Sequence, residues 1–380
     1  MIDTLKFFNS LKKNKIDFFT GVPDSLLKEF CFCVTENTNK SQHIINANEG
    51  SSIGLSVGYN LATNKIPLVY FQNSGLGNII NPFTSIVHES VFKIPILLFI
   101  GWRGEPGKKD EPQHIFQGKI TEKILESLEI EYETLNIDTS KSITQVERII
   151  KKIEVNQKPI AILVKKNSFS KYSFKSKESN NILKREKCIQ VISDNLKDED
   201  ILVSTTGKTS RELYELSKKN KLKNPRFLSI GGMGHVSQIS LGISNNSSKR
   251  VFCLDGDGSI IMHMGSMGII GDNAGSNYFH ILFNNGTHES VGGQPTVGRK
   301  INFELLSSSL GYKSYFKITN EELLLDFFKN TLNSIKGPVF IEILIDSSSR
   351  QDLGRPKETP LQQKEKFTKL LKNQKGESIN

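Results

Sequence analysis

The apolar run Val251-Phe252-Cys253-Leu254 leads directly into Asp255-Gly256-Asp257-Gly258-Ser259, and 26 residues after Gly258 a second run, Phe279-His280-Ile281-Leu282-Phe283-Asn284, ends on Asn285-Gly286-Thr287. A carboxylate between glycines at a helix start lets backbone N–H groups approach an anion, because first-turn amides have no partner inside the helix. If the two runs are parallel strands joined by a right-handed helical crossover, both loops emerge at the carboxyl ends of neighbouring strands, where open α/β sheets bind ligands. Asp257 and Asn285 can then meet. A carboxylate, an amide oxygen and a loop carbonyl form a hard-oxygen set suited to Mg²⁺, and the whole reads as a metal-bridged diphosphate site. Gly-Asp-Gly alone describes a turn as readily; the second loop gives it chemical meaning.

Two other stretches carry candidate groups. Ile44-Ile45-Asn46-Ala47-Asn48-Glu49-Gly50 sets a carboxylate where a strand gives way to a helix, a place also used by ordinary capping acids. Gly231-Gly232-Met233-Gly234-His235 brackets a large apolar side chain with glycines, although most methionines simply fill cores. Other patterns fail on spacing. Gly207-Lys208-Thr209 has Leu202 where a Walker loop needs glycine, and Gly75-Leu76-Gly77 and Gly256-Asp257-Gly258 have Ile80 and Ile261 in place of the third glycine of a dinucleotide fingerprint.

The elements that must position these groups alternate. Short apolar runs at Phe18–Phe19, Ile44–Ile45, Leu68–Phe71, Pro95–Ile100 and Ile160–Val164 are separated by helical spacing, as at Ser52–Ala62 and Gln145–Ile153. The second half repeats this with strands at Ile201–Val203, Val251–Leu254, Phe279–Phe283 and Val339–Ile345 and helices at Ser210–Leu216, Val236–Ile243 and Ile260–Ile269. An α/β fold of two domains follows, each a parallel sheet flanked by helices. The expected boundaries are 1–170, a serine- and lysine-rich linker at 171–186, 187–365, and a C-terminal tail at 366–380. No sequence repeat links the halves.

A chain of 380 residues suits two domains. Its longest apolar runs are far short of the roughly 20 residues that span a bilayer. The N-terminus lacks the pattern of a secretory signal, so a cytoplasmic address is the default expectation. Four scattered cysteines make neither a disulfide framework nor a zinc site. The net charge of +10 lies largely in lysines of 151–187 and 357–375 without interleaved aromatics, which favours solvated surface over nucleic-acid binding.

The Gly-Asp-Gly and Asn-Asn pair resembles the signature of the thiamine diphosphate-dependent decarboxylases. That resemblance implies Mg²⁺ held by Asp257, the Asn285 side chain and the Thr287 carbonyl, with Gly256, Gly258 and Ser259 along the diphosphate. It implies further that Glu49 is the activating acid facing the aminopyrimidine, that Met233 is the wedge under the cofactor, and that Gly231 offers a carbonyl to the amino group. His235 and His288, next to cofactor motifs, become candidates for proton transfer. It also implies a homo-oligomer of at least two chains with shared sites.

Pyruvate-type members usually carry a third domain, for which this chain has no room. Gly21-Val22-Pro23-Asp24-Ser25, Gln72-Asn73-Ser74-Gly75-Leu76-Gly77-Asn78, Gly101-Trp102-Arg103-Gly104-Glu105-Pro106-Gly107, Ser204–Glu212, Asn284–Thr296 and Asp352-Leu353-Gly354-Arg355-Pro356 are instead similar to the phosphonopyruvate decarboxylase branch. The implied reaction converts 3-phosphonopyruvate to phosphonoacetaldehyde and CO₂ in phosphonate biosynthesis. Sulfopyruvate or another small 2-oxo acid is the alternative substrate. Asp24 and Ser25 would lie at the site mouth, and Arg103, Lys108, Lys109 and His114 are the candidate contacts for the second anion.

Overall fold

The computed structural model describes residues 1–173, 183–350 and 352–374. Contacts divide the chain into two units, Met1–Ser176 with Val291–Gln294, and Lys177–Ser290 with Pro295–Asn380.

The first unit contains strands β1 (Phe19–Gly21), β2 (His43–Ile45), β3 (Leu68–Gln72), β4 (Leu97–Gly101), β5 (Glu131–Thr134) and β6 (Ile160–Val164). They form one sheet in the order β2-β1-β3-β4-β6-β5 with every pair parallel. Central strands read as unbroken apolar runs because both faces are covered. Leu68 and Tyr70 pack on one side while Val69 and Phe71 pack on the other, and Leu97/Phe99 and Leu98/Ile100 divide in the same way.

The second unit contains β7 (Ile201–Ser204), β8 (Arg226–Leu228), β9 (Val251–Gly256), β10 (Tyr278–Asn284), β11 (Ser314–Ile318) and β12 (Val339–Leu344). The order is β11-β12-β10-β9-β7-β8, again all parallel. Counted from the first strand of each unit, both sheets run 2-1-3-4-6-5. The halves therefore share a topology that their sequences do not repeat. In each sheet the chain passes outward from the first strand to the second and then back across it to the third. The carboxyl ends of strands one and three thus flank a topological switch point. These ends are Gly21 and Gln72 in the first unit, and Ser204 and Gly256 in the second.

Several expected bounds shift. The helix expected over Ile260–Ile269 is two helices, Asp257–Met262 and Ser266–Asn273, parted where His263 leaves helical geometry (φ −134°, ψ 49°). Of the linker expected at 171–186, Tyr172 is tied to the first unit through its N–H to Glu29 Oε2 (2.7 Å). Leu183 is buried in the second core, and Arg185 opens the helix Arg185–Asn195. The rest, 174–182, lies outside the described residues. The tail expected from 366 begins inside the helix Pro360–Gln374, whose Phe367 is buried against Phe227 in the second core. Leu371 of the same helix packs on that core; 375–380 lies outside the described residues. Among the described residues no helix is long and apolar enough to cross a membrane. All four cysteines are buried and free.

Candidate active site

In the first unit the groups gather at the switch point. Asn48 caps the helix Glu49–Thr63 by accepting from the Ser51 N–H, which fixes Glu49 as its first residue. Glu49 is 5% exposed, and Asn78 Nδ2 donates to its Oε2 at 2.7 Å. Burial pushes the carboxyl above its ordinary value, and the Asn78 bond opposes that only in part. A Cβ built on Gly75 would overlap the Glu49 carboxylate, so the turn after β3 must present glycine there. Gly75→Ala is expected to displace the acid and lower turnover by about 10²-fold, the usual effect of an ångström-scale misplacement. Steady-state kinetics beside an unchanged melting curve checks this.

Asp24 follows β1 and is 1% exposed. Its Oδ2 accepts from the Leu26 N–H (2.9 Å), and its Oδ1 is buried without a protein partner. Burial pushes its pKa up to about 6. A Cβ on Gly101, at the end of β4, would overlap this carboxylate. Ser25 accepts from Arg103 Nη1 at 3.1 Å. Arg103 is no isolated loop cation, since its Nε and Nη2 bind both oxygens of Asp110. His114 lies on the helix Pro112–Ser127, where burial lowers its pKa. Lys108 and Lys109 are exposed.

In the second unit Asp257 opens a helix directly after β9 and is 3% exposed. The Thr296 hydroxyl donates to its Oδ2. Burial still raises its pKa to about 6. A Cβ on Gly298 would lie 2.7 Å from Asp257 Cβ and 2.9 Å from both Asp257 Oδ2 and Asn284 Oδ1, so this glycine keeps two oxygen donors close. Asn285 is 8% exposed and folds into a local turn, with its Oδ1 accepting from the Thr287 N–H at 2.9 Å. Asn284 Oδ1 and Thr287 Oγ1 are buried without partners. The loop is anchored by Glu289, which accepts from Arg185 (2.9 Å) and Lys208 (3.0 Å). Burial would raise Glu289, but those two charges hold it below the ordinary range.

Gly258 is where the other expected groups converge. A Cβ there would meet His288 Nδ1 at 3.0 Å and Met233 Cε at 3.1 Å. The Ser259 hydroxyl accepts from the Gly234 N–H (3.2 Å) and from Thr205 (3.1 Å), tying the Gly231–His235 loop to the helix start beside Gly256. Burial lowers His288 to about 4, so its imidazole is neutral at pH 7. His235 does not join this group; it is exposed, with Nδ1 against the carbonyls of Gly232 (3.2 Å) and Met233 (3.1 Å).

Asn78, Thr296, Asn73 and Asp110 were not assigned roles by the sequence reading. The first and third follow β3 at the switch point, and that topology is the signal that would have found them. Cys253, Asp255 and His280 also cluster beneath the Asp257 loop. Their donor atoms are already satisfied, His280 by Tyr312 (2.9 Å) and Asp255 (3.3 Å), and Asp255 also by the Gly256 N–H (2.8 Å). This is a structural network.

Residues 6–125 match the N-terminal thiamine pyrophosphate-binding domain of thiamine pyrophosphate enzymes, and residues 205–343 match the C-terminal one. A phosphonopyruvate decarboxylase of Streptomyces viridochromogenes is 30% identical over 313 residues, covering 78% of this chain and 77% of that protein. The chain belongs to the thiamine diphosphate-dependent decarboxylase family. Within it, this decarboxylase is a homologue of phosphonopyruvate decarboxylase, a carboxy-lyase. It is also 26% identical to a sulfopyruvate decarboxylase of Methanosarcina acetivorans over 364 residues, 90% of each chain. Separate alpha and beta subunits of a Methanococcus maripaludis sulfopyruvate decarboxylase match 41% and 40% of the decarboxylase at 35% and 30% identity.

Proposed function

We propose that this decarboxylase converts 3-phosphonopyruvate to phosphonoacetaldehyde and CO₂ with thiamine diphosphate and Mg²⁺, as a step of phosphonate biosynthesis. The observation that carries the substrate choice is the Ser25–Arg103 pair beside buried Asp24 at the carboxyl ends of β1 and β4, which offers guanidinium and hydroxyl donors to a substrate with a second anion. The greater identity to the Streptomyces protein supports phosphonopyruvate; the longer match to the Methanosarcina protein supports sulfopyruvate as the second reading.

The donor set fits the metal. Asp257 is a buried carboxylate whose Oδ2 accepts from the Thr296 hydroxyl, beside the unpartnered Asn284 Oδ1 and near a loop rich in hard oxygens. Asp257, Asn285 and the Thr287 carbonyl would hold Mg²⁺, with Gly256, Gly258 and Ser259 along the diphosphate. Asp257→Asn keeps the shape and removes the charge. It is expected to weaken Mg²⁺-dependent cofactor binding at least about tenfold, the lower bound seen even for outer-sphere partners. A titration of cofactor fluorescence quenching with and without Mg²⁺ checks this, and unchanged affinity would count against the assignment.

When bound, thiamine diphosphate supplies the electron sink that makes loss of CO₂ possible. The protein's share is orientation and proton placement. Glu49, with Oε2 held by Asn78 and its pKa raised by burial, would be the group that shares a proton with the aminopyrimidine. Met233 would wedge the cofactor and Gly231 would offer its carbonyl to the amino group. Arg103 and Ser25 orient the second anion, His114 lies on the neighbouring helix, and Asp24, tuned to about 6, holds or releases a proton near neutrality. His288, neutral beside Gly258, is the nearer of the two histidines for proton transfer; His235 remains a candidate from its exposed loop. Glu49 and Asp257 lie in separate units, and a homo-oligomer of at least two chains sharing these residues is the arrangement we propose.

CO₂ release from phosphonopyruvate by purified protein with both cofactors, abolished by chelating Mg²⁺, tests the assignment. No release from any of phosphonopyruvate, sulfopyruvate or pyruvate would overturn it.

A further inference from the structure

The cation expected to meet the second anion is held rigidly, and the residue holding it is Asp110. The two groups form a two-point pair, Nε to Oδ2 at 2.8 Å and Nη2 to Oδ1. The same carboxylate accepts from the backbone N–H groups of Gly104 (2.9 Å) and Glu111 (2.8 Å), so both ends of the loop 104–110 are tied to it. Burial would raise Asp110, but the Arg103 and Gly104 bonds hold its carboxyl at about 2.

The backbone of Arg103 is pinned as firmly. Asn73 Oδ1 accepts from its N–H at 3.1 Å, and Asn73 Nδ2 donates to its carbonyl at 2.8 Å and to Thr121 Oγ1 at 2.9 Å. Gly104, at φ +70°, lets the helix Pro112–Ser127 approach, since a Cβ there would overlap the His114 carbonyl. Of the five guanidinium N–H groups, three are engaged by Asp110 and Ser25. Among the described residues the other two have no partner, on a side chain that is 19% exposed. A pair serving only to fasten a loop has no need of a second lock on the arginine backbone or of a hydroxyl on its outer edge.

We propose that Asp110 is a positioning residue for substrate specificity: it fixes Arg103 so that the free guanidinium edge, with the Ser25 hydroxyl, forms a preset clamp for the second anion of the 2-oxo acid. This rests on the reading that Arg103 meets that anion. A planar, immobilised guanidinium loses little freedom on binding a tetrahedral oxyanion, and this is where a fixed fork surpasses a mobile lysine.

The test compares Asp110→Asn, Asp110→Glu and Arg103→Met in the full-length enzyme, with phosphonopyruvate and pyruvate as substrates and thermal melting as a control. With Asp110→Asn, KM for phosphonopyruvate is expected to rise about 10–100-fold, the size of one charged hydrogen bond. Its kcat and the kcat/KM for pyruvate are expected to change less than about threefold, because the lost contact is uniform binding of the anion. Asp110→Glu, which keeps the charge, is expected to recover part of the loss. Equal losses for both substrates in Asp110→Asn, or wild-type KM in that variant while Arg103→Met is selective, would overturn the role of Asp110. Equal losses for both substrates in Arg103→Met would instead overturn the reading of Arg103 on which it rests.

Discussion

Glu49→Gln is expected to slow decarboxylation by about 10²–10⁴-fold, or roughly 3–5 kcal/mol of barrier, while thiamine diphosphate stays bound. The glutamine matches the carboxyl in size, so the close approach of Gly75 and the bond from Asn78 have an acceptable occupant. What it removes is the exchangeable proton. The wild-type carboxyl is 5% exposed and burial raises its pKa, which would favour its sharing a proton with a ring nitrogen placed against it. Hydrogen–deuterium exchange at the cofactor's thiazolium carbon, followed by NMR, reports this step without substrate. A variant exchanging at the wild-type rate would show that Glu49 is no more than a first-turn acid of the helix that Asn48 caps.

The central strands were legible because each is buried on both faces. Ile160–Val164 and Leu68–Gln72 appear as apolar runs at nearly their observed bounds. The strands that escaped are β5, β8 and β11, all at sheet edges. Glu131-Tyr132-Glu133-Thr134 has no run to detect, since an edge strand covers one flank and meets solvent on the other. In Gln362–Lys372 lysines are interspersed with Phe367 and Leu371, the side chains that dock the helix on the second core.

The site divides in the same way. Asp257, Gly258 and Ser259 were legible because glycines, an acid and a strand end coincide in one short stretch. Asp110 was hidden within Gly107-Lys108-Lys109-Asp110, which reads as a basic loop although the acid is the member that turns inward onto Arg103. Thr296 lies eleven residues beyond Asn285, and only the folding of that loop brings its hydroxyl to Asp257.

Substrate choice carries the largest expected effect. Pyruvate presents a methyl where phosphonopyruvate presents an anion, and it would leave the free edge of Arg103 and the proton of the Ser25 hydroxyl without an acceptor. Sites built on such pairing reject the truncated analogue by about 10⁴–10⁵-fold, far more than a missing apolar contact achieves. Sulfopyruvate retains an anion with one charge fewer, so its penalty is smaller. The measurement that bears most directly on the proposed reaction is kcat/KM for the three acids in one coupled aldehyde assay with saturating thiamine diphosphate and Mg²⁺. The expected order is phosphonopyruvate, then sulfopyruvate, then pyruvate, with the first and last separated by about 10⁴-fold or more. A preference for sulfopyruvate, or pyruvate turned over as well as either of the other two acids, would contradict the assignment.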